Sequence, residues 1–274
     1  MSTNRIAILE SEASIFAGGA EKSMAQFSDY LINNNHLVYH IFERGGKYTA
    51  KGLLPKNSIR VNLQTLRGQG PFSYFYTVFK ISSFVKKNNI NILLTHTIHT
   101  LALLRFVKIL TNCHIVIYFK WIYNGPSIGS LAKWGLNGIS QILAINNFVA
   151  SYWKKFLPSD IVVPLIPDGV AHAEIPHDIA SSNFNILFIG RIYEGKGLHL
   201  ILEALKELPS NFTLDVVGSF VSGEYKNRID IILSLYNLKE RVRFHGLVFN
   251  VETYYKNCFL VVVPSIVDDA QPLV

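Results

Sequence analysis

The sequence predicts an α/β protein built from two doubly wound parallel-sheet domains. Apolar runs of strand length, such as residues 6–9 and 92–95, alternate with segments whose apolar residues recur at helical spacing. Glycine follows some of the strand-like runs, as Gly190 and Gly218 do, which is typical of tight turns. Strands that alternate with helices predict βαβ units and therefore parallel sheets.

A polar segment containing a proline divides this pattern into two series. We place a first domain at residues 1–172, a linker at 173–183 and a second domain at 184–274. A length of 274 residues, with 49% hydrophobic and 16% charged residues, is sufficient for two modest cores. Four strand-like runs follow the linker, so we expect the second domain to be incomplete.

The charge is unevenly distributed along the chain. Residues 1–150 contain 15 Lys/Arg and 5 Asp/Glu, a net charge of +10, whereas residues 151–274 contain 11 and 14, a net charge of −3. A basic first half predicts an anionic partner, either a membrane surface or a nucleic acid. No nucleic-acid-binding module is recognisable, which favours an anionic membrane surface over nucleic acid.

Cysteine usage and hydropathy indicate the compartment. Cys113 and Cys258 adjoin apolar runs and lack metal-site spacing, so we expect two buried, reduced thiols. No apolar stretch approaches the roughly 20 residues of a membrane-spanning helix, and no signal peptide opens the chain. We therefore expect a cytoplasmic protein, with the inner face of the plasma membrane as a candidate docking surface.

The segment at residues 185–208 carries the clearest chemistry. It reads as a strand, a tight loop that starts at Gly190, and an amphipathic helix. The loop holds Arg191 and Lys196, two cations beside a helix start whose N–H groups and dipole favour an anion. A phosphate or diphosphate fits this arrangement. The alternative is that both residues are solvated loop charges.

This strand, the G-R-x-x-x-x-K-G loop and the helix after it resemble the second domain of nucleotide-sugar glycosyltransferases of family 4. Further matches follow in the family's order: Gly-Gly-Ala-Glu at 18–21, Pro-Asp-Gly at 167–169, and Pro-Ser at 264–265. The resemblance implies the GT-B fold. In that fold one Rossmann-like domain lies on the acceptor side, and a second Rossmann-like domain binds the nucleotide sugar.

The resemblance also assigns roles to residues. Arg191 and Lys196 are the expected catalytic residues, since they would bind the donor diphosphate and stabilise its developing charge. The other expected donor-binding residues are Gly18, Gly19, Gly190, Gly218, Val248 and Asp269. Without the resemblance, Gly18 and Gly19 read as a plain tight turn. No D-x-D motif occurs, so we expect neither a metal nor a cofactor.

Two residues of the first domain are acceptor-side candidates. His96 follows a buried strand at the edge where α/β sheets bind ligands, and it either hydrogen-bonds a sugar or phosphate or is a structural histidine. Lys120 follows the next strand, where many family members have a histidine. Residues 72–87 predict a helix with aromatic and basic side chains, which either covers the sheet or rests on anionic lipid.

The last residues of the sequence indicate how much of the family's donor site is present. The family's donor site has two acidic residues with seven residues between them; Asp269 occupies the first position, and the second would lie beyond Val274. We therefore expect a truncated enzyme with apolar surface exposed near its end, which predicts marginal stability, oligomerisation or a partner chain that covers the surface.

The resemblance implies a retaining, hexosyltransferase-type glycosyltransferase. It would move a sugar from a nucleotide-diphosphate donor to a glycan or lipid-linked acceptor, with bacterial surface polysaccharide synthesis as the expected setting. Two alternatives stay open at this point: a fragment that retains at most diphosphate binding, and a sugar-nucleotide 2-epimerase on the same two-domain plan.

Overall fold

The computed structural model describes residues 3–10, 19–42, 59–62, 70–122, 129–169, 184–248 and 250–267. The chain divides near residue 170 into two compact units, each with its own parallel sheet. The predicted linker, residues 173–183, lies outside the described residues.

The first unit is a parallel sheet with helices between its strands. Its strands are β1 (Arg5–Glu10), β2 (Leu37–Phe42), β3 (Ile59–Asn62), β4 (Ile92–Thr95), β5 (His114–Phe119) and β6 (Gln141–Ala144). Its helices are α1 (Gly19–Asn33), α2 (Pro71–Lys87), α3 (Leu101–Thr111), α4 (Ser130–Leu136) and α5 (Asn147–Lys154). The strand order β3-β2-β1-β4-β5-β6 is that of the Rossmann fold.

Helices cover both faces of this sheet. Ile8 of β1 packs into a core cluster with Met24 of α1 and Trp153 of α5. Its neighbours Ala7 and Leu9 pack into a second cluster, to which α2 and α3 contribute. Successive side chains of a strand point to opposite faces, so β1 is buried on both sides, as predicted for a doubly wound sheet.

The second unit repeats this plan on a smaller scale. Its strands are β7 (Phe184–Ile189), β8 (Phe212–Val217), β9 (Val242–Gly246) and β10 (Leu260–Val261), and its helices are α6 (Leu198–Leu205), α7 (Gly223–Leu235) and α8 (Glu252–Asn257). The parallel strands have the order β10-β7-β8-β9. Ile186 and Phe188 pack with α6 and α7, whereas Leu187 packs with Cys258 beyond α8.

Four helices end beside an asparagine in the left-handed backbone conformation. Asn35, Asn89, Asn112 and Asn237 follow α1, α2, α3 and α7 with φ between 49° and 64°. Asparagine adopts this conformation more readily than other residues with a Cβ, because its short polar side chain forms local hydrogen bonds. These residues therefore stop the helices and turn the chain towards the next strand.

The apolar run at residues 259–263 is typical of a central parallel strand. In the structure β10 covers two residues of this run and pairs only with β7 in the described part of the sheet. Phe259, Leu260 and Val263 are 46–48% exposed, because no described strand or helix covers this edge. Exposed apolar surface is thus present near the chain's end, whereas oligomerisation stays a prediction.

Two further expectations concern thiols and membranes. Cys113 and Cys258 are both free and buried, as predicted, and burial raises the pKa of each thiol. Within the described residues, no helix has the length and apolar character needed to cross a bilayer.

Candidate functional site

Four of the predicted site residues, Gly19, His96, Gly190 and Arg191, follow strands that lie next to the point where the strand order reverses in each sheet. In the first sheet this point falls between β1 and β4, and Gly19 begins the helix after β1 while His96 follows β4. In the second sheet it falls between β7 and β10, and Gly190 and Arg191 directly follow β7. Open α/β sheets bind ligands outside the carboxyl ends of their strands at such switch points.

Three glycines connect the carboxyl ends of β7, β8 and β9. The Gly190 N–H donates to the Val217 carbonyl at 2.9 Å, and the Gly218 N–H donates to the Gly246 carbonyl at 2.8 Å. Gly218 has φ 145°, and a Cβ atom there would lie 1.8 Å from the Gly190 carbonyl oxygen. Only glycine fits such a contact. The tight packing fixes the backbone from which Arg191 projects.

Arg191 presents an available positive charge at this edge. Its side chain is exposed, and its guanidinium carbon lies 5.9 Å from the centre of the Tyr193 ring. It makes no hydrogen bond or ion pair with the described residues. Since arginine stays protonated at all physiological pH values, the site offers a fixed cation to an anionic ligand.

Lys196 lies on the same loop, five residues further along the chain. It is half-buried and ends a short helical turn, after which Gly197 leads into α6. A Cβ atom on Gly197 would lie 2.2 Å from the Pro264 carbonyl oxygen, and the Ile266 N–H donates to the Gly195 carbonyl at 3.0 Å. The segment after β10 therefore packs directly against the cationic loop and holds it in place.

A pocket of about 390 Å³ opens beside the same glycines, at the carboxyl ends of β8 and β9. Its lining residues are Gly218, Ser219, Phe220, Lys226, Asp230, Phe244 and Gly246. This volume lies in the range of small-molecule sites. Two of these residues, Lys226 and Asp230 of α7, form an ion pair with 2.7 Å between Nζ and Oδ2. The sequence does not single them out, because a Lys and an Asp one helical turn apart resemble an ordinary surface pair.

Of the other predicted donor-binding residues, the structure describes Val248 but not Gly18 or Asp269. Val248 is half-buried after β9 and packs against the cluster around Leu187. Gly18 and Asp269 lie outside the described residues.

Lys120 lies in a buried polar cluster of the first unit. Its ammonium group contacts the Asp168 carboxylate and the Ser23 hydroxyl, and the Lys120 and Asp168 side chains are only 2% and 4% exposed. The Tyr118 hydroxyl donates to the same carboxylate at 2.9 Å. Burial, with the Asp168 charge in addition, raises the pKa of Tyr118. Lys120 thus links the end of β5 to the Pro-Asp-Gly turn and to α1, and its acceptor-side role stays a prediction.

His96 is buried on the loop between β4 and α3. Threonine hydroxyls fix this loop: Thr95 donates to the Leu9 carbonyl at 3.1 Å, and Thr100 donates to the Thr97 carbonyl at 2.8 Å. The structure thus places His96 at the carboxyl end of β4, as its position after the strand predicts, and β4 adjoins the switch point of the first sheet. Its acceptor-side role stays a prediction.

A second polar cluster joins three strands of the second sheet. The Asp215 carboxylate lies 2.8 Å from His245 Nε2, 2.9 Å from Arg243 Nε and 2.6 Å from Asn185 Nδ2. Burial alone would raise the pKa of Asp215, but the hydrogen bonds to His245 and Asn185 and the charge of Arg243 outweigh it and lower the pKa. These contacts hold β7, β8 and β9 in register.

Two Rossmann-like units, with a cationic loop at the switch point of the second, follow the plan of GT-B glycosyltransferases. The chain belongs to glycosyltransferase family 4. The family model described as Glycosyltransferase Family 4 matches residues 17–174, and the model described as Glycosyl transferases group 1 matches residues 174–274. No curated protein sequence matches the chain.

Solved structures share the fold at low sequence identity. A glycosyltransferase from Rickettsia africae ESF-5 has a TM-score of 0.81 at 19% identity, over 98% of this chain and 75% of that chain. Anabaena Alr3699/HepE in complex with UDP and glucose has a TM-score of 0.77 at 18% identity, over 97% of this chain and 76% of that chain. The sucrose-phosphate synthase of Thermosynechococcus elongatus has a TM-score of 0.79 at 17% identity, over 98% of this chain and 77% of that chain. Each of these chains is longer than the present one.

Proposed function

We propose that this chain transfers a sugar from a nucleotide-diphosphate donor to a hydroxyl group of a glycan or lipid-linked acceptor, with retention at the anomeric carbon. One observation carries the proposal: Arg191 is exposed, has no ion-pair partner among the described residues, and lies at the switch point of the second sheet. Anabaena HepE was solved with UDP and with UDP-glucose, which supports a UDP-sugar as the first donor to test.

In the proposed reaction, the bond between the anomeric carbon and the diphosphate oxygen breaks, and the oxygen keeps the electron pair. The acceptor hydroxyl oxygen bonds to the same face of the anomeric carbon, and its proton passes to the leaving diphosphate. Negative charge therefore grows on the diphosphate as the bond breaks. Arg191 and Lys196 are the residues we expect to stabilise that charge, which requires no movement of the protein if the loop is already fixed.

The acceptor side is assigned to the first unit. A net charge of +10 over residues 1–150 supports an acceptor with anionic groups, such as a lipid-linked glycan carrying phosphate. We place the reaction in bacterial surface polysaccharide synthesis on the cytoplasmic side of the membrane. His96 is the residue that we expect to contact the acceptor.

Donor binding by the full chain tests the proposal. UDP-, GDP- and ADP-glucose are titrated by calorimetry into the wild type, Arg191→Ala and a matched control, Lys239→Ala. Lys239 is an exposed cation of the same unit at the opposite, amino-terminal edge of β9. Loss of charge-assisted hydrogen bonds to a diphosphate weakens binding by about 10- to 100-fold.

We expect one nucleotide sugar to bind, Arg191→Ala to weaken it by that factor, and Lys239→Ala to leave it unchanged. Product analysis by NMR, with the bound donor and simple sugar acceptors, then reports whether the anomeric configuration is retained. Binding of no nucleotide sugar, or equal binding by Arg191→Ala and the wild type, would refute the proposed donor site.

A further inference from the structure

Helix α2 leaves its largest apolar side chains exposed. Its buried face combines Val78, Ile81 and Val85 with the hydroxyl residues Ser73, Thr77 and Ser82, whereas Phe72, Phe75 and Phe79 are 78%, 59% and 66% exposed. Ser73 and Thr77 satisfy their hydroxyls within the helix, by donating to the Gly70 and Ser73 carbonyls at 3.0 Å and 2.9 Å. Helices that pack on a core normally bury their largest apolar residues. The three phenylalanines therefore contribute little to the fold of the described chain.

The apolar surface continues onto the neighbouring helices. The Phe75 ring lies 6.0 Å from the ring of Phe106 on α3, and Phe106 lies 4.8 Å from Trp134 on α4. Leu131 of α4 and Ile109 of α3 are also exposed. We call the exposed side of α2, together with these α3 and α4 residues, the aromatic face. Its exposed apolar residues thus lie on three neighbouring helices and are linked by ring contacts, unlike apolar residues scattered singly over a surface.

The aromatic face is basic and lacks acidic residues. No Asp or Glu occurs between Glu43 and Asp160. The cations of α2, α3 and α4 are Lys80, Lys86, Lys87, Arg105, Lys108 and Lys133. Two of them lie over rings of the face, with Arg105 4.2 Å from the Trp134 ring centre and Lys80 5.4 Å from that of Tyr76.

This charge decides between possible occupants of the face. A second copy that met the same face would bring two sets of cations together, which disfavours association. An anionic bilayer complements the lysines and accepts the phenylalanines in its interfacial region, as amphipathic surface helices show. We propose that α2, with the aromatic face around it, docks this protein on an anionic lipid surface. The inference concerns binding alone and goes beyond the proposed transfer reaction, so each can fail without the other.

The test is flotation of the full chain with vesicles of phosphatidylcholine alone and with about 30% phosphatidylglycerol. The main variant is Phe72→Ser/Phe75→Ser/Phe79→Ser, whose positions are exposed and so leave the core intact. The control is Ile231→Ser/Leu235→Ser, which removes two equally exposed apolar residues from α7 of the second unit. A charge variant, Lys86→Gln/Lys87→Gln, removes two cations from the end of α2.

We expect binding to the anionic vesicles, at least a hundredfold loss in the triple variant, and no change in the control. Each lysine removed should weaken binding by about fivefold, and less at high salt. The inference is overturned if the wild type does not float, or if the triple variant floats as the wild type does. It is also overturned if the phenylalanines mediate only self-association in sedimentation or only oligonucleotide binding. UDP-sugar titration of the triple variant should match the wild type, which separates this result from donor binding.

Discussion

Gly218→Ala is the substitution that tests most sharply how the cationic loop is held. An alanine Cβ atom at this position would lie 1.8 Å from the Gly190 carbonyl oxygen, and the backbone has φ 145°. Gly190 has φ 153° but open space around it, so Gly190→Ala adds backbone strain without the clash. Gly223, the first residue of α7, has open space and no positive φ, so Gly223→Ala is the matched control.

The magnitudes follow from these three environments. Backbone strain costs about 1–3 kcal/mol, and overpacking adds about 1–3 kcal/mol. We therefore expect a loss of about 2–6 kcal/mol in the free energy of unfolding for Gly218→Ala and about 1–3 kcal/mol for Gly190→Ala. Gly223→Ala should change stability by less than about 1 kcal/mol and in the stabilising direction.

The assay must report on the second unit. All three tryptophans, Trp121, Trp134 and Trp153, belong to the first unit, so their fluorescence in urea serves as an internal control. Hydrogen exchange of the β7 and β8 amides measures the unit that contains the glycines. The contact between Gly218 and Gly190 does not hold the loop if these amides are as well protected in Gly218→Ala as in Gly223→Ala, or if tryptophan fluorescence shows the larger change.

Three further predictions concern buried polar groups and a helix cap. Lys120→Met should destabilise the first unit by about 3–5 kcal/mol in urea unfolding followed by tryptophan fluorescence, because it removes a buried ammonium group that contacts the buried Asp168 carboxylate; Lys120→Met/Asp168→Leu should recover most of that loss. The folded-state pKa of Asp215 lies below its ordinary value of 3.8, so the stability that its carboxylate contributes is complete above that pH and is lost as the pH falls through the folded-state pKa. Asp215→Asn should therefore be less stable at pH 7, and its stability should change less with pH below pH 4, as measured by hydrogen exchange of the β8 amides. The same dependence of stability on pH in the variant and the wild type would contradict this. Ser222→Ala removes an oxygen that accepts from the Tyr225 N–H at 3.3 Å and should cost about 1 kcal/mol in the same exchange experiment, with no effect meaning that the cap is not formed in solution.

The sequence predicts most strands of both sheets because their apolar runs are short and bounded by polar or glycine residues. It does not indicate β3, a four-residue strand with Arg60 and Asn62 in a polar region. It also does not indicate α3, an eleven-residue helix with eight apolar residues, although Arg105, Lys108 and Thr111 recur there at helical spacing. The structure explains this composition: Leu101 packs in one core cluster, whereas Leu103 and Leu104 pack in the other.

The candidate site is predictable only where local pattern fixes position. Arg191 and Lys196 follow from a strand, a glycine and a helix in succession, and the topology places them at a switch point. The Lys120–Asp168 pair is different, since the two residues are 48 positions apart and meet only through the packing of β5, α1 and the Pro-Asp-Gly turn. The direction in which the α2 phenylalanines point is equally non-local, because periodicity identifies two faces but not which one is buried.

Arg191 is proposed to bind the donor diphosphate, and the gain in affinity that the second phosphate provides measures this contact directly. Calorimetry compares the nucleoside diphosphate with the monophosphate of the nucleotide that binds, in the wild type, Arg191→Ala and Lys239→Ala. We predict that the diphosphate binds about 10- to 100-fold more tightly than the monophosphate in the wild type and Lys239→Ala, and less than about threefold more tightly in Arg191→Ala. If the second phosphate adds the same affinity in Arg191→Ala as in the wild type, Arg191 does not bind the diphosphate.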